Sequence, residues 1–288
     1  MKVTRLAVYP LKSAAGSCVD ESVIGAIGLE HDRRWVALDE LGNRVSAREC
    51  PALLGITAVA QAGGLRLRSR GGAVIDVETP DAHAPVVATQ MSRIDELAVA
   101  SGASSLWLSS EVGRTVRLAY QHQEFSRDIG ANHGGRPGEA MSLADAGPLL
   151  LVSEASIDRL RELVLRETGQ EWVDRETAVE RFRPNIVVEA TDPFEEDGWD
   201  KISIGEVSYR FGEHCDRCSV VGIDRSTLVA MSEPIRTMAR HRKFEGKTWL
   251  GIRLIPEMSH EDRATIRVGD AVVVRQQHPD GVGRRRRR

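Results

Sequence analysis

Glycine-punctuated runs of alternating residues constrain this chain most. Leu65-Arg66-Leu67-Arg68 and Val74-Ile75-Asp76-Val77 alternate apolar with polar or charged side chains, and Gly63-Gly64 and Gly71-Gly72 bracket them. A period of two between glycine turns is the pattern of a hairpin. Residues 3–8 and 34–38 read as strands, the second followed by the turn signal Glu40-Leu41-Gly42-Asn43, and residues 105–109 and 115–118 add short strands. One helix is expected in this half, at 92–101, with Ile94, Leu97 and Ala98 on one face. Many short strands joined by glycine turns favour a barrel or sandwich.

The pattern breaks at 124–138, where Gly130-Ala131-Asn132-His133-Gly134-Gly135-Arg136-Pro137-Gly138 reads as a mobile loop or connection. Beyond it, 149–152 reads as a buried strand. Ser153 is placed to cap a helix whose stripe is Ile157, Leu160, Leu163 and Val164 and whose end is Gly169. Further strands are expected at 186–188, 201–204, 207–211, 248–254 and 271–274, with a short helix at 234–241. A chain of 288 residues makes about two domains. The expected division is a β-barrel-like domain at 1–124, a β-rich domain at 125–276 and a disordered basic tail at 277–288. The fold class is mainly β, with some helix (α+β).

Net charge is −3, and without Arg284 to Arg288 it falls to −8, which argues against a wholly basic nucleic-acid binder. The longest apolar run, 148–152, is too short to cross a bilayer. Four cysteines make no secreted framework. The expected setting is the cytoplasm, with reduced thiols.

Three local features carry chemistry. His214-Cys215-Asp216-Arg217-Cys218 follows an expected strand. Its two thiols suit one metal, a redox disulfide or plain core packing, and Arg217 between them favours a thiolate. Arg181-Phe182-Arg183-Pro184-Asn185 offers two guanidinium forks for a phosphate or a heterocycle edge, or else a salt-bridged strand start near Asp192, Glu195, Glu196 and Asp197. Lys12 and Ser13, with Arg33, form a third set able to hold a phosphate, though no Walker or Gly-x-Gly-x-x-Gly sequence is present.

In order and spacing these blocks resemble a known family across nearly the whole chain. Tyr9-Pro10-Leu11-Lys12-Ser13, Gly28-Leu29, Asp32-Arg33-Arg34-Trp35 and Arg48 before Pro51 resemble the β-barrel domain that precedes a MOSC domain, the C-terminal domain of molybdenum-cofactor sulfurase. Asp145-Ala146-Gly147-Pro148, Phe182-Arg183-Pro184-Asn185, Phe194-Glu195-Glu196-Asp197 with Trp199, Cys215-Asp216-Arg217-Cys218 with Asp224, and Val268-Gly269-Asp270 resemble the MOSC domain itself.

The resemblance implies a molybdenum–molybdopterin cofactor, with Cys218 as metal ligand and catalytic centre. It implies Lys12, Ser13 and Arg33 at the cofactor's phosphate end. Arg183 and Asn185 join the cofactor site, and Asp216 and Arg217 flank the ligand. The activity implied is reduction of small N-hydroxylated compounds, as in the mitochondrial amidoxime-reducing component. Electrons then come from a separate flavoprotein or ferredoxin-type protein, with no membrane or nucleic-acid partner. Pyridoxal phosphate binding accompanies the family at the level of annotation only. A sulfur or cofactor carrier using Cys218, and a thiol redox protein using Cys215 and Cys218, are the alternatives. His214 and His133 are the candidate proton donors. Two departures stand out: Ala146 and Gly147 replace hydroxyl residues, and Trp249-Leu250-Gly251-Ile252-Arg253 replaces a Phe-Gly pair followed by a polar contact.

Overall fold

The computed structural model describes residues 1–278; the basic run Arg284 to Arg288 lies outside the described residues. The architecture is mainly β, assembled from one large and three smaller sheets. The large sheet runs in the order Val272–Gln277, Trp199–Ile204, Val207–Asp216, Lys247–Pro256, Leu149–Ser153, Ile186–Val188, Val3–Val8 and Ser17–Val19, with Lys243–Phe244 folded back on Lys247–Pro256. Its one parallel pair sets Leu151 beside Ile186 and Val152 beside Val187. A parallel pair needs a crossover, and here two helices supply it, α2 and α3 below.

The first helix, α1 (Gly102–Val112), corrects the reading of this stretch. Residues expected to be helical at 92–101 contain the strand Glu96–Val99, and 105–109, expected as a strand, lies inside α1. The Ile94, Leu97 and Ala98 spacing fits either structure in so short a run. Capping decides it: the Ser104 amide donates to Ser101 Oγ at 3.2 Å, and Gly113 closes the helix in the left-handed region.

α2 (Glu154–Thr168) forms as expected. Ser153 Oγ accepts from the Ser156 amide at 3.1 Å, Ile157, Leu160, Leu163 and Val164 are buried, and Gly169 ends it at φ 72°. α3 (Arg175–Phe182) begins at Asp174, whose carboxylate accepts from the Thr177 amide at 2.8 Å. α4 (Ile235–His241) lies within the expected helix. α2, α3 and α4 cover one face of the large sheet, where Val152, Ile157, Phe182, Val187 and Leu250 share a core. On the other face Leu6, Leu151, Ile186, Trp199, Tyr209 and Leu254 form the largest core.

The N-terminal residues do not stay with the sequence around them. Val3–Val8 pairs antiparallel with Ile186–Val188, and Glu21–Gly25 pairs with Ala264–Arg267. The remaining sheets are Trp35–Leu38 with Arg117–Tyr120, Glu96–Val99 and Val86–Ala88, and the three-stranded meander Thr57–Gln61, Gly64–Arg68, Val74–Glu78. That meander contains the hairpin read from the glycine pairs. Because Val3–Val8 is held in the large sheet, the loop after it is carried to the join between the halves of the molecule.

The glycine-rich stretch at 124–138 is fastened. Ile129 and Met141 pack with Ile255, Arg210 Nη1 donates to the Gly134 carbonyl at 2.7 Å, and a Cβ on Gly135 would stand 2.2 Å from the Ile129 carbonyl oxygen. Among the described residues no helix is long and apolar enough to cross a membrane.

Candidate functional site: a cationic cleft between the halves

The loop after Val3–Val8 is pinned to residues 33–35 by backbone bonds. The Lys12 amide donates to the Trp35 carbonyl (2.8 Å), the Arg33 amide to Tyr9 (2.9 Å) and the Trp35 amide to Pro10 (3.0 Å). Arg183 caps α3 in the left-handed region, at φ 56°, and Arg33 and Ser13 adopt φ 49° and 70°. Non-glycine residues held there cost about 1–2 kcal/mol each and cluster where function requires a fixed geometry. All three line one cleft of about 1000 Å³.

The same cleft contains Lys12, Asn185, Asp216, Arg217 and Cys218, so the structure gathers all eight of the singled-out residues in one place. Their local roles differ. Asn185 is committed to the protein: its Oδ1 accepts from Arg33 Nη1 (2.9 Å) and the Leu150 amide (3.1 Å), and its Nδ2 donates to the Ala7 carbonyl (3.2 Å). It fixes Arg33 and leaves little for a ligand. Arg33 also bonds Asp32 at 2.5 Å and the Arg183 carbonyl at 3.1 Å. The guanidiniums of Arg33 and Arg183 lie 4.6 and 4.5 Å from the Tyr9 ring centroid. Burial, with Arg33 beside it, holds Arg183 down at about 10. The salt-bridged alternative for Arg181 and Arg183 is met in half: Arg181 pairs with Asp224 at 2.7 Å rather than with the acids at 192–197, and among the described residues Arg183 has no carboxylate partner.

Lys12 is buried, and its amine donates to the Leu143 carbonyl (2.7 Å) and to Asp145 (2.6 Å). Burial brings the amine down to about 8, although the Asp145 pair opposes this. Asp145, in turn, is held well below the ordinary carboxylate range by Lys12.

The thiol end departs from expectation in its pairing. Arg217 Nη1 donates to Cys215 Sγ at 2.8 Å and its Nη2 donates to the Phe182 carbonyl at 2.6 Å, so it serves the buried thiol. Cys218 is exposed in the cleft and meets Arg48, whose hydrogen bond to that thiol holds the guanidinium above its usual range. Arg48 was legible only as part of a motif, since its partner lies 170 residues away. Arg253, Arg44 and Asp145 also line the cleft and had no assigned role. Arg253 bonds Glu213 and, at 3.2 Å, Asp216. Neither candidate histidine lines the cleft. His214 is buried with Nε2 3.1 Å from the Asp197 carbonyl oxygen, and burial lowers its pKa. His133 Nδ1 lies 2.9 Å from Glu213 Oε1.

Eight cations and two carboxylates line the cleft, in a protein that is acidic overall. Such a wall attracts a multiply charged anion. Among the described residues no three His, Cys, Asp or Glu side chains converge to hold a bare metal ion. An exposed thiol beside that wall fits a metal that arrives already chelated by an anionic organic group and needs one protein sulfur.

The cleft and the sheets around it are those of a MOSC-type protein. The MOSC N-terminal beta barrel domain model matches residues 1–115 and the MOSC domain model matches 138–273, and the chain belongs to this family. It is 32% identical over 263 residues to a molybdenum cofactor sulfurase of Danio rerio, covering 88% of this chain and 31% of that protein. It is 28% identical over 292 residues to mitochondrial amidoxime-reducing component 1 of Homo sapiens, covering 94% of this chain and 82% of that protein. The chain thus spans about a third of the sulfurase's length. The YUAD protein of Bacillus subtilis, a solved structure, overlaps 94% of this chain and 93% of its own at 14% identity, with a TM-score of 0.41.

Proposed function

We propose that the cleft holds a molybdenum–pterin cofactor and that the protein reduces N-hydroxylated compounds, N–OH to N–H, with two electrons and two protons and release of water. One observation carries the reading: an exposed cysteine shares a cleft with eight cations, among them the half-buried Arg183, which has no carboxylate partner among the described residues. A relative named as an amidoxime-reducing component, matched over most of both chains, supports the reaction class. When bound, the cofactor supplies the two-electron chemistry. The protein's residues bind and orient. Arg33 and Arg183, fixed by Tyr9 and Asn185, take the cofactor's phosphate, with Lys12 and Ser13 beside them. Cys218 supplies the sulfur ligand, held by Arg48. Arg217 fixes the neighbouring Cys215 and so the turn that presents Cys218. Asp216, tied to Arg253, borders the ligand.

Electrons come from a separate flavoprotein or ferredoxin-type partner. The test is molybdenum content and metal-bound sulfur count, by X-ray absorption, in protein from a cofactor-competent host. Cys218→Ala is expected to lose the protein sulfur and Cys215→Ala to keep it. The loaded protein is expected to consume an amidoxime with a reduced viologen and not with NADH alone. Sulfane sulfur on Cys218 without molybdenum would instead support a sulfur carrier. A protein sulfur retained in Cys218→Ala would end the ligand assignment.

A further inference from the structure

A second cavity, of about 560 Å³, adjoins the cleft and shares Leu54, Arg181, Arg183 and Val220 with it. Arg5, Cys18, Ile223 and Arg225 line this pocket and not the cleft. The functional reading above uses none of these four. Four guanidiniums, those of Arg5, Arg181, Arg183 and Arg225, face one carboxylate, Glu180. That carboxylate is already divided between Arg5 (3.5 Å) and Arg225 (3.0 Å).

Arg181 is 5% exposed, spends Nη2 on Asp224 and lies 5.6 Å from the Trp172 ring centroid; its Nε and Nη1 are sealed inside the protein without an acceptor, so it adds charge to the wall rather than a free fork. A buried donor without an acceptor is costly, more so when it is charged. Arg183, in the same wall, bonds only the Ala14 carbonyl among the described residues and lies over Tyr9. The rest of the lining includes Tyr9, Leu54, Val220 and Ile223, which give an organic group an apolar seat. Guanidinium forks converging from three separate elements suit a tetrahedral dianion better than a planar carboxylate.

We propose that this side pocket is a second anion subsite that takes a phosphate monoester of a small organic group. The inference stands on the pocket's own residues and does not need the cofactor reading. The phosphate has two available sources: a separate phosphorylated small molecule entering from solvent, or a second phosphate on an extended pterin cofactor lying across Arg183.

The experiment is calorimetric titration of the holoprotein and of cofactor-stripped protein with adenosine 5′-monophosphate. Adenosine is the control, and the cofactor released on denaturation is weighed by mass spectrometry. Saturable binding of the monophosphate to holoprotein, with none of adenosine, is the expected result and assigns a separate molecule. Binding is expected to weaken at least tenfold in Arg225→Gln and in Arg181→Met, with the molybdenum content of Arg225→Gln unchanged. If Arg181→Met does not fold, Arg225→Gln decides alone. A released cofactor carrying a second phosphate, with monophosphate binding only after stripping and still dependent on Arg225, supports the subsite and assigns it to the cofactor. No monophosphate binding in either state together with a single-phosphate cofactor overturns the proposal. So does an affinity that folded Arg225→Gln leaves unchanged.

Discussion

Glu196, Asp197 and Arg242 are buried more deeply than most arginines of the cleft, yet each of these charged side chains meets an answering group. Glu196 accepts from the Ser153 amide (3.1 Å), Ser153 Oγ (2.9 Å) and Ser156 Oγ (2.8 Å). Asp197 pairs with Arg242, which also donates to the Trp249 carbonyl and lies 4.0 Å from the Phe194 ring centroid. This cluster ties the start of α2 to the large sheet, with Asp197 Oδ1 the one carboxylate oxygen of the two left without a partner. In the cleft, Arg183 lies beside Arg33 with no carboxylate partner among the described residues, and burial lowers its pKa and that of Lys12. Arg242 carries its counter-charge with it. Among the described residues Arg183 does not, and the fold bears that cost until a ligand arrives.

The sharpest break in the comparison is Arg242→Ala. It leaves Asp197 buried and unpaired, and a loss of about 3–5 kcal/mol is expected from breaking such a pair. Urea unfolding with an unchanged slope measures it. A loss below about 1 kcal/mol would mean that the Asp197–Arg242 pair contributes little to stability.

The two regions also respond to pH with opposite sign. An unfolded lysine titrates near 10.5 and folded Lys12 at about 8, so between those values the unfolded chain binds more protons and stability rises with pH. Glu196 and Asp197 are raised above 4.5 and 3.8 by burial, so their contribution is present at acid pH and is lost as pH climbs through their folded values. For the cofactor-free protein, Lys12→Met is expected to flatten the rise from pH 8 to 10.5 by up to about 3 kcal/mol. Parallel stability curves for variant and parent over that window would place Lys12 in ordinary solvent.

Arg183→Gly separates binding from folding within one residue. It removes a phosphate fork, worth about tenfold to a hundredfold in cofactor affinity. It also relieves a left-handed backbone at a helix end, where glycine is the favoured residue. Stability is therefore expected to move by less than about 1 kcal/mol while pterin is lost, measured as pterin fluorescence per mole beside an unfolding curve. Full pterin retention, or collapse of the fold, would remove Arg183 from the ligand-facing class.

What the sequence disclosed follows the same division between local and distant causes. Ser153, Gly169 and the glycine pairs around 63–72 act within a turn, and the elements they bound were legible. The gathering of Lys12, Arg33, Arg183 and Cys218 was legible through motif order. The partners of the thiols were not: neighbours in sequence suggested Arg217 for Cys218, while the fold brings Arg48 there and turns Arg217 to Cys215. The left-handed backbones of Ser13, Arg33 and Arg183 carry no glycine to announce them. Residues 92–112 misled because an i, i+3, i+4 apolar spacing over ten residues fits a buried strand as well as a helix.

The two positions read from the resemblance as departures, at Gly147 and near Arg253, adjoin each other in the structure. A Cβ on Gly147 would stand 3.1 Å from Arg253 Cβ and 3.3 Å from its Cδ. The side chain absent at 147 thus leaves room for the arginine that bonds Glu213 and Asp216 at the cleft wall. Gly147→Ser should therefore crowd Arg253 and cost about 1 kcal/mol, at the low end for overpacking. Arg253→Ala removes Cγ and Cδ but keeps Cβ, so only part of the clash is relieved. The double variant is expected to lose less than the sum of the two, by about 0.5 kcal/mol, in urea midpoints compared at equal slope. Strict additivity would mean that Gly147 serves its own loop and that the two departures arose independently.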